Sequence, residues 1–177
     1  RHAGLYATTA SNSTFVGHNA GQGITGAKLT GDNNTAIGKD AGLLLQGAAN
    51  GHTLVGANAG DSITTSGNNT CLGYLAGTAI TTGSSNVFVG AAAGDGTDDG
   101  GSNVAVGISA LSGNCGDANA ACGASAMIDA TGTNNTAMGT FAGGRLTSGD
   151  NNSFLGHDAG REGSPGGSIT TGSNIIV

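Results

Sequence analysis

The chain has almost no proline, no tryptophan and few charged residues. Among 177 residues there are one Pro, two Tyr and four Phe, and charged side chains make up 9% of the sequence, against about 25% in an ordinary domain. A conventional enzyme core needs many more large side chains. Collagen needs proline and a strict three-residue period, and disordered chains carry more charge and proline. No apolar run approaches the roughly 18 residues that span a membrane.

Positive charge is also scarce. Five Lys and Arg stand against eleven Asp and Glu, which gives a net charge of −6. Nucleic-acid binding requires a basic stripe that displaces counterions from phosphates. Lys28, Lys39, Arg145 and Arg161 are instead scattered along the chain. We therefore expect neither a nucleic acid as a partner nor attraction to an anionic membrane surface.

Glycine is abundant, with 36 residues, and it marks an internal repeat. The run from Asn34 to Gly42 returns from Asn69, from Asn135 and from Asn152. With the central glycine as position 0, nine copies follow one another at intervals of 16 to 21 residues, about 17 on average. The position 0 glycines are Gly17, Gly38, Gly56, Gly73, Gly90, Gly107, Gly123, Gly139 and Gly156.

A repeat of this length favours a β-solenoid. It is too short for two helices and a turn, and glycine destabilises helix interiors by about 1 kcal/mol each. Positions −4 to −1 suit a short strand, and a second short strand fits Ile63–Thr65 and Ile80–Thr82. We predict an all-β parallel solenoid of about ten coils that stack at about 4.8 Å. Residues 1–177 form a single repeat domain, which the pattern predicts to be truncated within the repeat at both ends.

Two neighbouring apolar columns predict that the strand is covered on both faces, because successive side chains of a strand point to opposite sides. One column would fill the coil and the other would meet identical chains around an axis. Position −1 is assigned to the coil core: Val16, Ile37, Val55, Leu72, Val89, Val106, Cys122, Met138 and Leu155. Position −2 is assigned to the oligomer interface: Phe15, Ala36, Leu54, Cys71, Phe88, Ala105, Ala121, Ala137 and Phe154.

The residues also resemble a known family. Asn86–Gly90 and Asn103–Gly107 are similar to the repeats of trimeric autotransporter adhesin heads, and the run at 33–38, with Met for Ile at 134–139, resembles repeat regions of bacteriophage tail fibres more closely. The resemblance implies a left-handed β-roll assembled as a homotrimer. Two features depart from the adhesin pattern. The period is longer than the usual adhesin coil, and Ala-Gly follows the turn where that family often has Ser.

Few residues suggest a ligand site. Asp95, Asp98 and Asp99 are weak candidates for Ca²⁺, because three carboxylates fall within five residues. Gly21–Gly26 matches G-x-G-x-x-G but lacks the βαβ unit that a dinucleotide site requires. His18 and His157 both occupy position +1 without a second His at ligand spacing. Three cysteines do not form a disulfide framework, so we expect free thiols, with Cys71 and Cys122 buried. We expect no resident metal or other cofactor, and no catalytic residues.

These observations favour a structural segment of a homotrimeric bacteriophage tail fibre. The chain would then be extracellular, on the virion, and would extend or support a part that binds a host-cell receptor. The alternatives are a trimeric adhesin of the bacterial cell surface and, more remotely, an ice-binding solenoid with Thr ladders, although Val87, Val104 and Ala120 interrupt those ladders. A polysaccharide hydrolase would need a carboxylate pair that the sequence does not offer.

Overall fold

Nine short strands form one parallel sheet. The computed structural model describes residues 2–161, and the predicted coil remnant near the C-terminus lies outside these residues. The sheet order follows the chain from β1 to β9, which makes a parallel solenoid of about eight turns. No helix occurs between residues 2 and 161. The strands are β1 (Thr14–Val16), β2 (Thr35–Ile37), β3 (Thr53–Val55), β4 (Thr70–Leu72), β5 (Val87–Val89), β6 (Val104–Val106), β7 (Ala120–Cys122), β8 (Thr136–Met138) and β9 (Ser153–Leu155).

Each strand pairs with the same repeat positions of the next strand. Phe88, for example, lies opposite Cys71 on one side and opposite Ala105 on the other. The predicted columns are therefore rows of stacked side chains that run along the solenoid. The prediction of a parallel all-β solenoid from the repeat is confirmed over the described residues.

Close stacking explains the glycine at position 0. Its φ lies between 121° and 144° in all nine copies, a region that side-chain-bearing residues rarely adopt. A Cβ on any of the first eight glycines would lie 2.2–2.5 Å from the carbonyl oxygen of the next position 0 glycine. No side chain fits there without displacing the neighbouring coil.

A ladder of buried side chains at position −4 links the coils. The Oδ1 of Asn69 accepts a hydrogen bond of 3.0 Å from the backbone N–H of Asn86, and the Oδ1 of Asn86 accepts one of 2.9 Å from that of Asn103. The Nδ2 of Asn86 donates to the carbonyl of Gly100 at 2.9 Å. Asn103 is an exception in one respect, since its Nδ2 has no partner. The same acceptor contact recurs at Asn34, Asn119 and Asn135.

His52 replaces asparagine in this ladder and makes the equivalent contacts. Its Nδ1 accepts from the backbone N–H of Asn69 at 3.2 Å, and its Nε2 lies 3.0 Å from the carbonyl of Ser66. These two contacts require a neutral ring that carries its proton on Nε2. The imidazole therefore serves as a rigid substitute for the carboxamide.

The core is thin and balances large against small side chains within each coil. At position +4, Gly94 lies beside Phe88, and a Cβ there would approach the ring carbons to 2.4 Å. In the next two coils, position −2 is Ala105 or Ala121, and position +4 is the buried Leu111 or Met127. An alanine at position +3 also lies in the core in every copy, and position +7 adds Leu45, Ile63, Ile80 and Leu146 in four coils.

The predicted second strand does not form. The segments 63–65 and 80–82 contain no named strand. Each coil contributes only a single backbone contact there, such as Thr64 N–H to the carbonyl of Thr81 at 3.1 Å and Thr81 N–H to that of Asp98 at 3.0 Å. The chain turns again immediately, so the extended run is too short to pair as a strand.

The His52 contacts predict sensitivity to acid. Burial lowers the pKa of His52 below its ordinary value near 6.5, so the unfolded chain binds a proton at a higher pH than the folded chain does. Protonation of His52 should leave the free energy of unfolding unchanged at neutral pH. Below about pH 6.5 it should lower that free energy by at most about 1.4 kcal/mol per pH unit. Urea unfolding of the native chain and of His52→Asn at pH 7.5 and 5 measures the difference. Equal losses in both proteins would contradict the assignment.

The core packing predicts strong coupling between Phe88 and Gly94. Phe88→Ala alone should cost about 3–5 kcal/mol through a cavity, and Gly94→Leu alone should destabilise by overpacking and by strain at its φ of 62°. The double variant reproduces the Ala105 and Leu111 pairing of the next coil, so it should be more stable than the sum of the single effects by at least about 1 kcal/mol. Denaturant unfolding measures all three variants, and additive losses would contradict this packing.

Candidate interaction surface

The outward side of the sheet is the most apolar exposed part of the described chain. We call the residues at positions −3 and −1 of all nine strands the outer strand face. None of them is buried, and the exposed fraction reaches 71% at Leu155. Position −3 contributes Thr14, Thr35, Thr53, Thr70, Val87, Val104, Ala120, Thr136 and Ser153, and position −1 contributes Val16, Ile37, Val55, Leu72, Val89, Val106, Cys122, Met138 and Leu155.

The structure reverses the predicted roles of the two apolar columns. Position −2 was expected at an oligomer interface, but it points into the coil and is buried in eight of nine strands, with Phe15 half-buried: Phe15, Ala36, Leu54, Cys71, Phe88, Ala105, Ala121, Ala137 and Phe154. Position −1 was expected in the core, but it faces outward: Val16, Ile37, Val55, Leu72, Val89, Val106, Cys122, Met138 and Leu155. Both assignments were wrong.

The reason for the reversal lies two residues upstream of position −2. The asparagine at position −4 turns inward to bond the next coil, as Asn86 does toward Asn103. Side chains two apart in a strand share a face, so position −2 points inward as well. The near-constant asparagine at position −4 is the sequence signal that gives the direction of the strand. The strand nevertheless carries apolar side chains on both faces, as predicted.

The apolar character of this surface extends to position +1 in the middle coils. Tyr74 is 60% exposed and Ile108 is 64% exposed. Of the twelve large hydrophobic residues that are exposed in the described chain, eight lie on the outer strand face and these two lie beside it. Monomeric proteins rarely expose so continuous an apolar stripe.

Charged groups lie beside the stripe at its two ends, as the pairs of Lys39 with Asp40 and of Arg161 with Asp158 show. Lys39 forms an ion pair with Asp40, and Asn19 donates to the Asp40 carboxylate at 2.9 Å. The hydrogen bond from Lys39 holds the pKa of Asp40 below its usual range. In the middle coils, position +1 is occupied by Ala57, Ala91 and Ala124 or by the apolar residues above. The centre of the surface is therefore uncharged.

The calcium candidates are not gathered into a site. Asp98 accepts a hydrogen bond from the hydroxyl of Thr81, and its backbone N–H donates to Asn114 Oδ1 at 3.1 Å. Over residues 2–161, no group of three or more His, Cys, Asp or Glu side chains is placed to hold a metal ion. Asp95, Asp98 and Asp99 therefore make no cluster with the donors that Ca²⁺ requires.

The other sequence candidates are separated in space or differ in environment. His18 and His157 are exposed and lie in coils at opposite ends of the sheet, whereas His52 belongs to the buried ladder. Gly21–Gly26 leads into an isolated bridge between Ile24 and Ala27, where a dinucleotide site would have a helix.

The three cysteines are free thiols in two different environments. Cys71 and Cys115 are buried, and burial raises the pKa of both thiols, that of Cys71 to about 12. Cys122 is exposed at position −1, so its predicted burial was wrong. Of the three cysteines, Cys122 is therefore the one that solvent reaches.

Comparison with protein-family models, with curated proteins and with solved structures finds no match for this chain. In the described part of the chain, no helix has the length and apolar character to cross a membrane. The function must therefore be inferred from the residues and geometry described above.

Proposed function

We propose that the chain is a structural segment of a homotrimeric fibre, of the kind that forms the shaft of a bacteriophage tail fibre and holds a host-binding part away from the virion. The outer strand face carries this proposal. An exposed apolar stripe runs along all nine strands, and burying apolar surface is the main force in protein association.

A second copy of the chain is the partner that fits this stripe. The stripe repeats once per coil, so a matching surface must carry the same spacing of about 4.8 Å over nine coils. An identical chain has that spacing by construction. Cyclic symmetry about an axis parallel to the solenoid would cover every coil equally. The number three comes from the resemblance of Asn86–Gly90 and of residues 33–38 to the repeats of trimeric fibres.

The way in which the coils are joined supports a mechanical role. Eight successive strand pairings and the position −4 ladder connect each coil to its neighbours. Such a chain resists bending because every coil is hydrogen-bonded above and below. Its turns are also hydrogen-bonded from coil to coil, as the N–H of Gly60 is to the carbonyl of Ala76 at 2.9 Å, and such a backbone offers few sites for proteolysis. A stiff spacer needs these two properties and no chemistry of its own.

Two alternatives remain open. A trimeric adhesin of the bacterial surface would use the same assembly, and the domains that flank this segment would distinguish it from a virion fibre. An ice-binding solenoid is favoured by one observation: Thr14, Thr35, Thr53 and Thr70 stack on the exposed face in successive coils. A stable monomer with thermal hysteresis activity would select the ice-binding alternative.

An aspartate on the outer strand face should prevent assembly. The native chain should have a mass of about 50 kDa in solution, three times the 16.7 kDa of one chain. Leu72→Asp places a charge at the centre of the stripe without entering the core, so it should give a folded monomer. Ala48→Asp adds the same charge at an exposed turn position and should remain trimeric. Light scattering after gel filtration measures the masses, and circular dichroism checks folding. A trimeric Leu72→Asp would refute the interface.

The natural cysteines report the same interface without a new charge. In the trimer all three thiols should be protected, Cys71 and Cys115 by the coil and Cys122 by the partner chains. A maleimide should label the Leu72→Asp monomer once, at Cys122, and should label the native chain at least tenfold more slowly. Mass spectrometry counts the labels and locates them. Equal rates of labelling at Cys122 in both proteins would show that the outer strand face is uncovered.

A further inference from the structure

A pocket opens where one coil lacks a side chain at position +5. Ile128 occupies this position in the coil that contains β7, and Arg161 occupies it in the coil that contains β9. Gly144 occupies the same position in the coil between them. Because glycine has no side chain, a cavity of about 260 Å³ is left there. Phe141, Asp129 and Arg145 complete the lining. This volume lies just below the range of about 300–1,000 Å³ that is common for pockets with drug-sized ligands. The pocket therefore suits a smaller ligand, of the size of one sugar ring.

Arg161 is held in place at one side of the pocket. Its Nη1 donates to Asp158 Oδ1 at 2.8 Å, and its Cζ lies 3.9 Å from the centre of the Phe141 ring. Guanidinium has five donors, so this pair leaves several N–H groups for a ligand. A side chain that is already fixed loses little entropy on binding.

Arg145 and Asp129 bring opposite charges to the opening of the same pocket. Both are exposed, and within residues 2–161 neither takes part in a hydrogen bond or an ion pair. Two of the five cationic residues of a chain with net charge −6 thus line one small cavity. Guanidinium groups match carboxylates in geometry, while the Asp129 carboxylate can accept hydrogen bonds from hydroxyl groups and disfavours multiply charged anions.

We propose that this pocket binds a monocarboxylate sugar, such as a uronic acid unit of an acidic polysaccharide. The two arginines bind the carboxylate, Asp129 accepts from ring hydroxyls, and the Gly144 gap between Ile128 and Arg161 accommodates the ring. The pocket is built from positions +2, +5 and +6 and uses no residue of the outer strand face. Binding therefore does not depend on the proposed trimer, and each can be tested without the other.

The test uses D-glucuronate, with D-glucose as the neutral match. Titration of the ¹⁵N-labelled 177-residue chain, followed by NMR, should give saturable shifts at residues around Gly144, with glucose at least tenfold weaker. Arg145→Gln removes an unpaired, exposed cation and should weaken glucuronate binding at least tenfold. Gly144→Thr fills the gap with the side chain that position 78 carries in the same column, and it should abolish the shifts. Lys28→Gln, an equal charge change at a distant exposed position, should bind as the native chain does.

Three results would overturn the proposal. One is the absence of saturable glucuronate shifts in the native chain. Another is an equal affinity for glucose or for inorganic sulfate, which would remove either the carboxylate or the sugar from the argument. The last is unchanged binding in both Arg145→Gln and Gly144→Thr while their spectra remain folded, because the ligand would then bind elsewhere.

Discussion

The inward-turned amide at position −4 determines how every other side chain of the strand is placed. Its oxygen accepts the N–H of the same position in the next coil, and its nitrogen reaches a carbonyl across the turn, as Asn86 does with Asn103 and Gly100. A buried amide left without these bonds would cost about 1–3 kcal/mol. Once that residue points inward, position −2 must share its face, and positions −3 and −1 must point away.

This constraint separates what the sequence predicts from what it does not. The period, the parallel stacking and the glycine at position 0 follow from columns of like residues. Which side of the strand faces the coil interior does not follow from these columns, because Val89 and Phe88 are both apolar. The hydrogen bonds of Asn86 show which side faces inward. Leu111 and Met127 were likewise missed as core residues, since their roles appear only beside the small Ala105 and Ala121.

Hydrogen bonds between coils also explain the position of Asp98, one of the calcium candidates. Asp98 lies where a coil turns, and its side chain accepts from Thr81 of the preceding coil. Asp32, Asp117 and Asp150 each accept a backbone N–H from the coil before. In a solenoid a turn carboxylate serves to join neighbouring coils. The Gly144 pocket differs because a missing side chain creates space there: Gly144 occupies position +5, where the neighbouring coils carry Ile128 and Arg161.

A single chain has a thin core and leaves a continuous apolar stripe exposed along the outer strand face. The interior of each coil is filled by the inward column at position −2 and by buried residues of the turns, such as Ile80 and Leu111. Leu72, Tyr74 and Ile108, by contrast, are 45–64% exposed in a single chain. Lateral association would give these residues a second core. It would add stiffness without new loops, which suits the proposed fibre.

Small-angle X-ray scattering of the unmodified chain tests this account most directly, because it measures mass per unit length. One solenoid carries about 17 residues for every 4.8 Å of its axis. The account predicts three times that linear mass at the length of one chain, as three copies lie side by side. A linear mass of one chain, either as a monomer or as copies joined end to end, would contradict it.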